Sequence, residues 1–365
     1  MTNQFVNVSI VVPTYNEVEN ISLLLSEIWK NVPKDMEFEV IIVDDNSPDG
    51  TWRKAVELLN DDVLVVRRIG FKGLSTAIVD GVVFSAKDYV LVIDADLQHP
   101  PEYIKNMVFE ASRSDADVVI GSRYVKGGHV EGWSRTRLII SKTATLIAKL
   151  FLPSTREIAD PMSGFFMVKR KIVIENLTKL NPYGFKILLE ILERCNPQKV
   201  IEVPYVFKPR RYGKSKLGAK TIIQYIFHVL KLSGWRPFKF ALVGLAGVGV
   251  NLGILNLIGY LTPLLISEYF MVGSAIAIEA SVIFNFILHE LWTFRDRRFG
   301  NVFTRFALFH VSSAPAILIQ YLSSISIKYG LAMNPFIAQL IGILIGFPFN
   351  YVFSELGIWK RKSVY

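Results

Sequence analysis

The sequence predicts a two-part molecule: an α/β domain built on a mainly parallel sheet over residues 1–235, then an all-α membrane domain of four spans over residues 236–365. Three observations carry this. Short β-branched apolar runs alternate with helical spacing through the front, and stretches of about 20 apolar residues fill the back. Charge divides the same way, with 31 Lys and Arg and 27 Asp and Glu before Arg236 against 10 and 5 from there on. Whole-chain values of 51% hydrophobic and 20% charged residues, with a mean hydropathy of +0.34, exclude a disordered chain and point to membrane segments.

Along the front, apolar runs at 6–12, 38–43, 63–66, 89–93, 118–120, 165–168 and 200–206 are bounded by turn residues and read as strands. Segments 17–29, 73–85, 101–112 and 185–194 between them carry helical spacing. Such alternation implies helices on both faces of the sheet, with ligands outside the carboxyl ends of the strands. Polar residues collect there: Asn16-Glu17, Asp44-Asp45 and Asp94-Ala95-Asp96 each follow an apolar run. Segment 137–151 sets Ile139, Ile140, Leu146, Ile147 and Leu150 against Ser141, Lys142, Thr145 and Lys149. Segment 217–232 sets Lys220, Gln224, His228 and Lys231 against a wide apolar face. Both read as basic amphipathic helices lying among lipid headgroups, with packing on the sheet as the alternative.

The spans are expected at 238–261, 269–291, 303–327 and 335–358. Lys231, Arg236 and Lys239 precede the first; Arg295, Arg297, Arg298 and Arg305 lie between the second and third; Lys360, Arg361 and Lys362 close the chain. The other two connections hold Glu268 and Lys328, so the positive-inside tendency places both termini and the front domain in the cytoplasm. Glu279, near mid-membrane, is expected to pair with a polar group such as Asn251 or Gln320 rather than to line an ion path. Cys195 is alone, which excludes an intrachain disulfide and a thiolate metal site. The N-terminus has no basic flank or long apolar core, so no secretory leader is expected. A net charge of +9 suits anionic lipid or phosphate-bearing substrates; the basic residues sit beside apolar segments rather than among aromatics, which argues against nucleic acid.

Asp94-Ala95-Asp96-Leu97-Gln98 at a strand end offers hard oxygens for Mg²⁺ or Mn²⁺, which typically bind a few such ligands together with substrate phosphates. Pro13-Thr14-Tyr15-Asn16-Glu17 and the acids from Asp44 to Asp49 can accept hydrogen bonds from a ribose or base edge. Arg123 follows a strand end, and Arg137 and Ser141 lie one helical turn apart, so the latter two can face one phosphate. His99, followed by Pro100 and Pro101, reads as a loop-packing residue rather than a base.

These motifs, with Gly-Ser-Arg-Tyr at Gly121, Ser-Gly-Phe at Ser163 and Arg-x-x-Gly-x-Ser-Lys-Leu at Arg210, resemble glycosyltransferase family 2 with its GT-A (Rossmann-like) fold, and within it the dolichol-phosphate mannose synthases. The resemblance covers the first 235 residues. It implies that Pro13, Tyr15, Glu17, Val43 and Asp45 hold the nucleoside of GDP-mannose. Asp94, Ala95, Asp96 and Gln98 then serve ribose, metal and diphosphate, with Arg210 and Lys216 neutralising the diphosphate. Arg123, Arg137 and Ser141 would take the phosphate of dolichyl or another polyprenyl phosphate, with Asp96 and Arg123 the catalytic residues. No general base is needed, because a phosphate monoester with a second pKa near 6 is already ionised. The back third, with Asn285-Phe286 and Trp292-Thr293-Phe294, resembles the GtrA-like membrane family. The expected activity is inverting mannosyl transfer at the cytoplasmic membrane face, with no obligatory protein partner. The alternatives are a UDP-glucose-dependent polyprenyl-phosphate glucosyltransferase and a lipid-linked sugar transporter with a degenerate enzyme domain.

Overall fold

The computed structural model describes residues 5–70, 72–182, 184, 186–210, 218–262, 269–298, 300–354 and 358–359. The chain separates into two compact units, one running to Leu232 and the other beginning at Ser233.

In the first unit β1 (Val8–Thr14), α1 (Ile21–Asn31), β2 (Phe38–Asp44), α2 (Thr51–Glu57), β3 (Val63–Arg67), α3 (Leu74–Phe84), β4 (Tyr89–Val92), α4 (Ile104–Ser114) and β5 (Val118–Ser122) alternate as expected. There follow β6 (His129–Val130), α5 (Arg135–Phe151), β7 (Phe166–Lys169), α6 (Arg170–Ile174), α7 (Ile187–Glu190), β8 (Val200–Pro204), β9 (Val206–Phe207) and α8 (Ala219–Leu232). Seven strands form one sheet in the order β3-β2-β1-β4-β7-β5-β8, parallel except for β7, which runs against both neighbours; β6 and β9 form a small second sheet. Side-chain alternation assigns the faces. Ile10, Val12, Val40, Ile42 and Leu91 pack with α1 and α4, while Val11, Ile41, Val43, Val90 and Val92 pack with α3 and α7. The helix expected from residue 17 begins at Ile21, after a turn in which the backbone N–H groups of Asn20 and Ile21 both reach the Glu17 carbonyl.

Helices α5 and α8 pack on each other and still leave an apolar face outside. Ala148 and Leu152 meet Tyr225, Val229 and Leu232, and the Tyr225 hydroxyl donates to the Ala144 carbonyl at 2.6 Å. Thr145, expected on the polar side, is buried, because its small side chain lies on the same stripe as Ala148. Ile139 and Leu146 remain 64% and 66% exposed, with Ile223 and Phe227 exposed on α8.

The second unit contains α9 (Arg236–Leu261), α10 (Phe270–Leu288), α11 (Val302–Gly330) and α12 (Pro335–Phe353). A π turn carries α10 on to Thr293, and α9, α10 so extended and α11 are long and apolar enough to cross a membrane. Asn285 of α10 lies where a Cβ at Gly247 of α9 would project, so glycine permits that close crossing. Buried amides tie the bundle together: Ser274 donates to Gln339 at 2.8 Å, and Gln339 to Asn251 at 2.9 Å. The second of these bonds engages Asn251, one of the two groups expected to serve Glu279. The acid instead meets His310 of α11, Oε1 to Nε2 3.0 Å, and neither Asn251 nor Gln320. Glu268, Lys216 and the terminal Lys360, Arg361 and Lys362 lie outside the described residues.

Candidate active site

Parallel strands β1, β2, β4 and β5 end at one edge of the sheet, and antiparallel β7 begins there. The turns after the first four and the loop 160–165 before the last therefore converge. Pro13 and Val43 are register partners on β1 and β2. Asp44 staples the edge, accepting from the Thr14 hydroxyl at 2.8 Å and from the Ser47 backbone and hydroxyl at 2.8 and 2.7 Å. Asn16 and Asn46 take left-handed φ of 62° and 54°, which asparagine tolerates better than most residues. Tyr15 carries the Lys72 ammonium over its ring at 4.9 Å, and Glu17 accepts from the Asn20 amide at 2.7 Å. Buried Asp45 is held by Arg68 Nε at 3.1 Å and by the Gly73 N–H at 2.7 Å; burial raises its pKa against these two partners.

After β4, Leu97 is forced to a φ of 59°, a costly conformation for a bulky residue, and Gln98 N–H turns back to Asp96 at 3.1 Å. Asp96 is nearly buried and receives Arg210 Nη2 at 2.6 Å. Burial first, then the neighbouring Asp94 charge, push its pKa up, while His99, Arg210 and the Gln98 N–H oppose the rise. The Gln98 amide donates to the Lys208 carbonyl at 3.2 Å, stitching the arm that carries Arg210 to this loop. His99 accepts the Asp94 N–H and stacks on Phe165 at 5.5 Å. Burial lowers its pKa to about 4, so the ring is neutral and packs the loop, as the sequence suggests.

The donor set fits a hard divalent cation. Asp94, Asp96 and the Gln98 amide share one turn, and a Cβ at Gly164 would press to 3.2 Å from Asp94 Oδ2, so glycine keeps that carboxylate clear. Among the described residues no cluster of three His, Cys, Asp or Glu side chains stands ready for a metal. An ion held here would need further oxygens from substrate to complete its shell, as Mg²⁺ usually does.

On the other side of the edge, Arg123 is buried and grips Asp160 with Nε and Nη2, both at 2.7 Å. Burial disfavours its charge, yet the Asp160 carboxylate dominates and raises the pKa well above the ordinary guanidinium range. Glu202 in turn accepts the backbone N–H groups of Ala159 and Asp160 at 2.7 and 2.9 Å. Arg137 lies over the Trp133 ring at 4.4 Å; its pKa is lowered by burial and by the positive fields of Arg210 and Arg123. Ser141 is 2.8 Å from the Tyr124 hydroxyl. Lys186 donates to the Met162 carbonyl at 2.7 Å, and burial lowers its pKa to about 8.

One cavity of about 410 Å³ joins these groups. Its lining includes Asp94, Arg123, Arg137, Ser141 and Lys186 together with Ile139, Ile140 and Ile147 of α5 and Ile222 and Ile226 of α8. Sequence reasoning named four of these five polar residues and missed Lys186, and it missed Arg68 and Asp160, which secure Asp45 and Arg123. For Asp160 the available signal is an acid three residues before Ser163-Gly164-Phe165; for Lys186 it is a lone cation opening an apolar helix.

Residues 9–177 match the family model for Glycosyl transferase family 2, and residues 239–359 match that for the GtrA/DPMS transmembrane domain. A dolichol-phosphate mannosyltransferase of Pyrococcus furiosus is 42% identical over 358 residues, covering 96% of this chain and 99% of that protein. The enzyme of the same name from Saccharomyces cerevisiae is 37% identical over 243 residues, 64% of this chain and 88% of its own length. Among solved structures, glucosyl-3-phosphoglycerate synthase from Mycobacterium tuberculosis, in complex with Mn²⁺, UDP and glucosyl-3-phosphoglycerate, superposes with a TM-score of 0.48 at 20% identity, over 63% of this chain and 80% of that one.

Proposed function

The chain belongs to the dolichol-phosphate mannosyltransferases, a glycosyltransferase family 2 domain followed by a GtrA/DPMS transmembrane domain, and from that premise we propose that it transfers mannose from GDP-mannose to dolichyl or another polyprenyl phosphate. The observation that carries this reading is one cavity whose lining combines cationic and hydroxyl groups with isoleucine side chains. An acceptor with an anionic head and a branched apolar tail matches both kinds of lining.

In this reading Pro13, Tyr15, Glu17, Val43 and Asp45 take the nucleoside. Asp94, Asp96 and Gln98 would hold a divalent ion, whose chemistry is to offset charge on the departing diphosphate. Arg210, already at Asp96, shares that work, and Lys216, six positions on in the sequence, joins it. Arg123, Arg137, Ser141 and Lys186 fix the acceptor phosphate. A phosphate oxygen attacks the anomeric carbon, the bond to the donor diphosphate breaks, and the configuration inverts to a β-linked lipid phosphosugar. The attacking oxygen bears no proton to remove. A panel of GDP- and UDP-sugars incubated with short-chain polyprenyl phosphates and Mn²⁺, scored for labelled lipid, tests the reading. Label from GDP-mannose alone supports it, and label from UDP-glucose alone replaces it with the glucosyltransferase.

The Lys186 ammonium supplies a pH test. A base with a pKa lowered to about 8 attracts phosphate below that pH and loses its charge as pH rises through it. The acceptor kcat/KM should fall above pH 8 in the native enzyme and stay flat there in Lys186→Met. An identical descending limb in the variant would remove Lys186 from the phosphate site.

We also propose that α9 to α12 all span the bilayer, with both termini and the catalytic unit cytoplasmic. Cys195 is buried, with its thiol pushed up to about 11, so it adds little background to thiol labelling. Cysteine placed at Lys328 should react with an impermeant maleimide from the outside only; reaction only from the cytoplasmic side reverses the topology.

A further inference from the structure

We propose that Tyr124 is a positioning residue for the acceptor phosphate, its hydroxyl setting the direction in which Ser141 presents its proton. The inference rests on the acceptor reading above. Tyr124 follows Arg123 off the end of β5 and is half-buried; its Oη lies 2.8 Å from Ser141 Oγ on α5. Ser141 lines the cavity.

The direction of this bond decides what Ser141 can do. A serine hydroxyl has one proton and two acceptor lone pairs, whereas an ionised phosphate oxygen only accepts. If Ser141 gave its proton to Tyr124, it would turn a lone pair toward the anion and repel it. A phenol is the stronger donor of the two, so Tyr124 donates and Ser141 accepts. Arg123 reinforces this order: its guanidinium carbon stands 5.3 Å from the Tyr124 ring centroid, and a cation there withdraws density from the ring and strengthens the O–H dipole. The relay runs from the Tyr124 hydroxyl to Ser141 Oγ and from the Ser141 proton to the phosphate, each bond polarising the next.

Geometry supports the same conclusion. Arg137 and Ser141 are i and i+4 on α5, on one face, and an aromatic residue fixes each: Trp133 lies under the Arg137 guanidinium at 4.4 Å, and Tyr124 meets the hydroxyl. Without Tyr124 the serine hydroxyl samples three staggered wells, of which one faces a given phosphate oxygen. Recovering that selection together with one neutral hydrogen bond is worth about three- to tenfold in affinity.

The test is a double-mutant cycle read as acceptor and donor KM, using GDP-mannose and a short polyprenyl phosphate in detergent. Tyr124→Phe keeps the ring beside Arg123 and removes only the hydroxyl. It should raise the acceptor KM about three- to tenfold and leave the donor KM unchanged. Ser141→Ala should do at least as much, and Tyr124→Phe should then add nothing in the Ser141→Ala background while keeping its cost in Ser141→Thr, which retains a hydroxyl. If Ser141→Ala raises the acceptor KM and Tyr124→Phe does not, the positioning role fails and the acceptor reading stands. Additive effects, or a raised donor KM in Tyr124→Phe, likewise overturn the role. If Ser141→Ala changes nothing, Ser141 does not touch the phosphate and the inference falls with that part of the acceptor reading.

Discussion

Asp96→Asn should lower kcat by about a thousandfold or more while leaving the fold intact, because it replaces one oxygen by an amide of the same shape and removes the charge on which the donor end depends. Asp96 is nearly buried, receives Arg210 at 2.6 Å and sits two residues from Asp94. Burial and the Asp94 charge both work against its ionisation, while Arg210, His99 and the Gln98 N–H work for it. That pattern belongs to a group assembled for a ligand rather than for stability. Loss of several kcal/mol of charge stabilisation at a departing diphosphate accounts for the expected size. The measurement is single-turnover transfer with saturating donor and acceptor, with circular dichroism as the folding control. A well-folded Asp96→Asn enzyme with kcat within tenfold of the native one would remove Asp96 from the chemistry.

Arg123→Met should cost about 3–5 kcal/mol of stability as well as activity, since it leaves the fully buried Asp160 carboxylate without its cation. Two hydrogen bonds at 2.7 Å and a third from the Arg123 backbone at 3.1 Å converge on that one carboxylate. Glu202 holds the loop that carries it, so Asp160 cannot swing out to water without breaking two more bonds. Denaturant unfolding in detergent, followed by tryptophan fluorescence, reads the loss. The double variant Arg123→Met with Asp160→Leu separates the two roles: an apolar pair of similar volume should recover most of the stability and none of the transfer. Native stability in Arg123→Met alone, within about 0.5 kcal/mol, would show that Asp160 is not the uncompensated charge argued here. Transfer restored in the double variant would confine Arg123 to holding the loop.

The sequence by itself determined the elements whose signal is local. The seven main strands stand out as β-branched runs between turn residues, and the longer helices and three of the four expected spans as periodicity and length, because each of these patterns is written within a dozen or so neighbouring residues. The family, and with it the acids at the strand ends, was legible in ordered motifs for the same reason. Tertiary structure alone decided what meets what. That β7 runs against its neighbours puts the loop of Asp160 beside Arg123, 37 positions away, and no spacing rule reaches that far. Arg68 on Asp45, Lys186 beside the acceptor groups and Tyr124 on Ser141 are likewise isolated polar residues that gain meaning only from a partner across the fold. Glu279 shows the limit from the other side. Its need for a partner follows from an acid lying in an apolar helix, but that the partner is His310, with Asn251 bound to Gln339 instead, follows from the packing. Local patterning fixes which groups must be satisfied; only the packed helices and strands, by filling some partners and leaving others, fix by what.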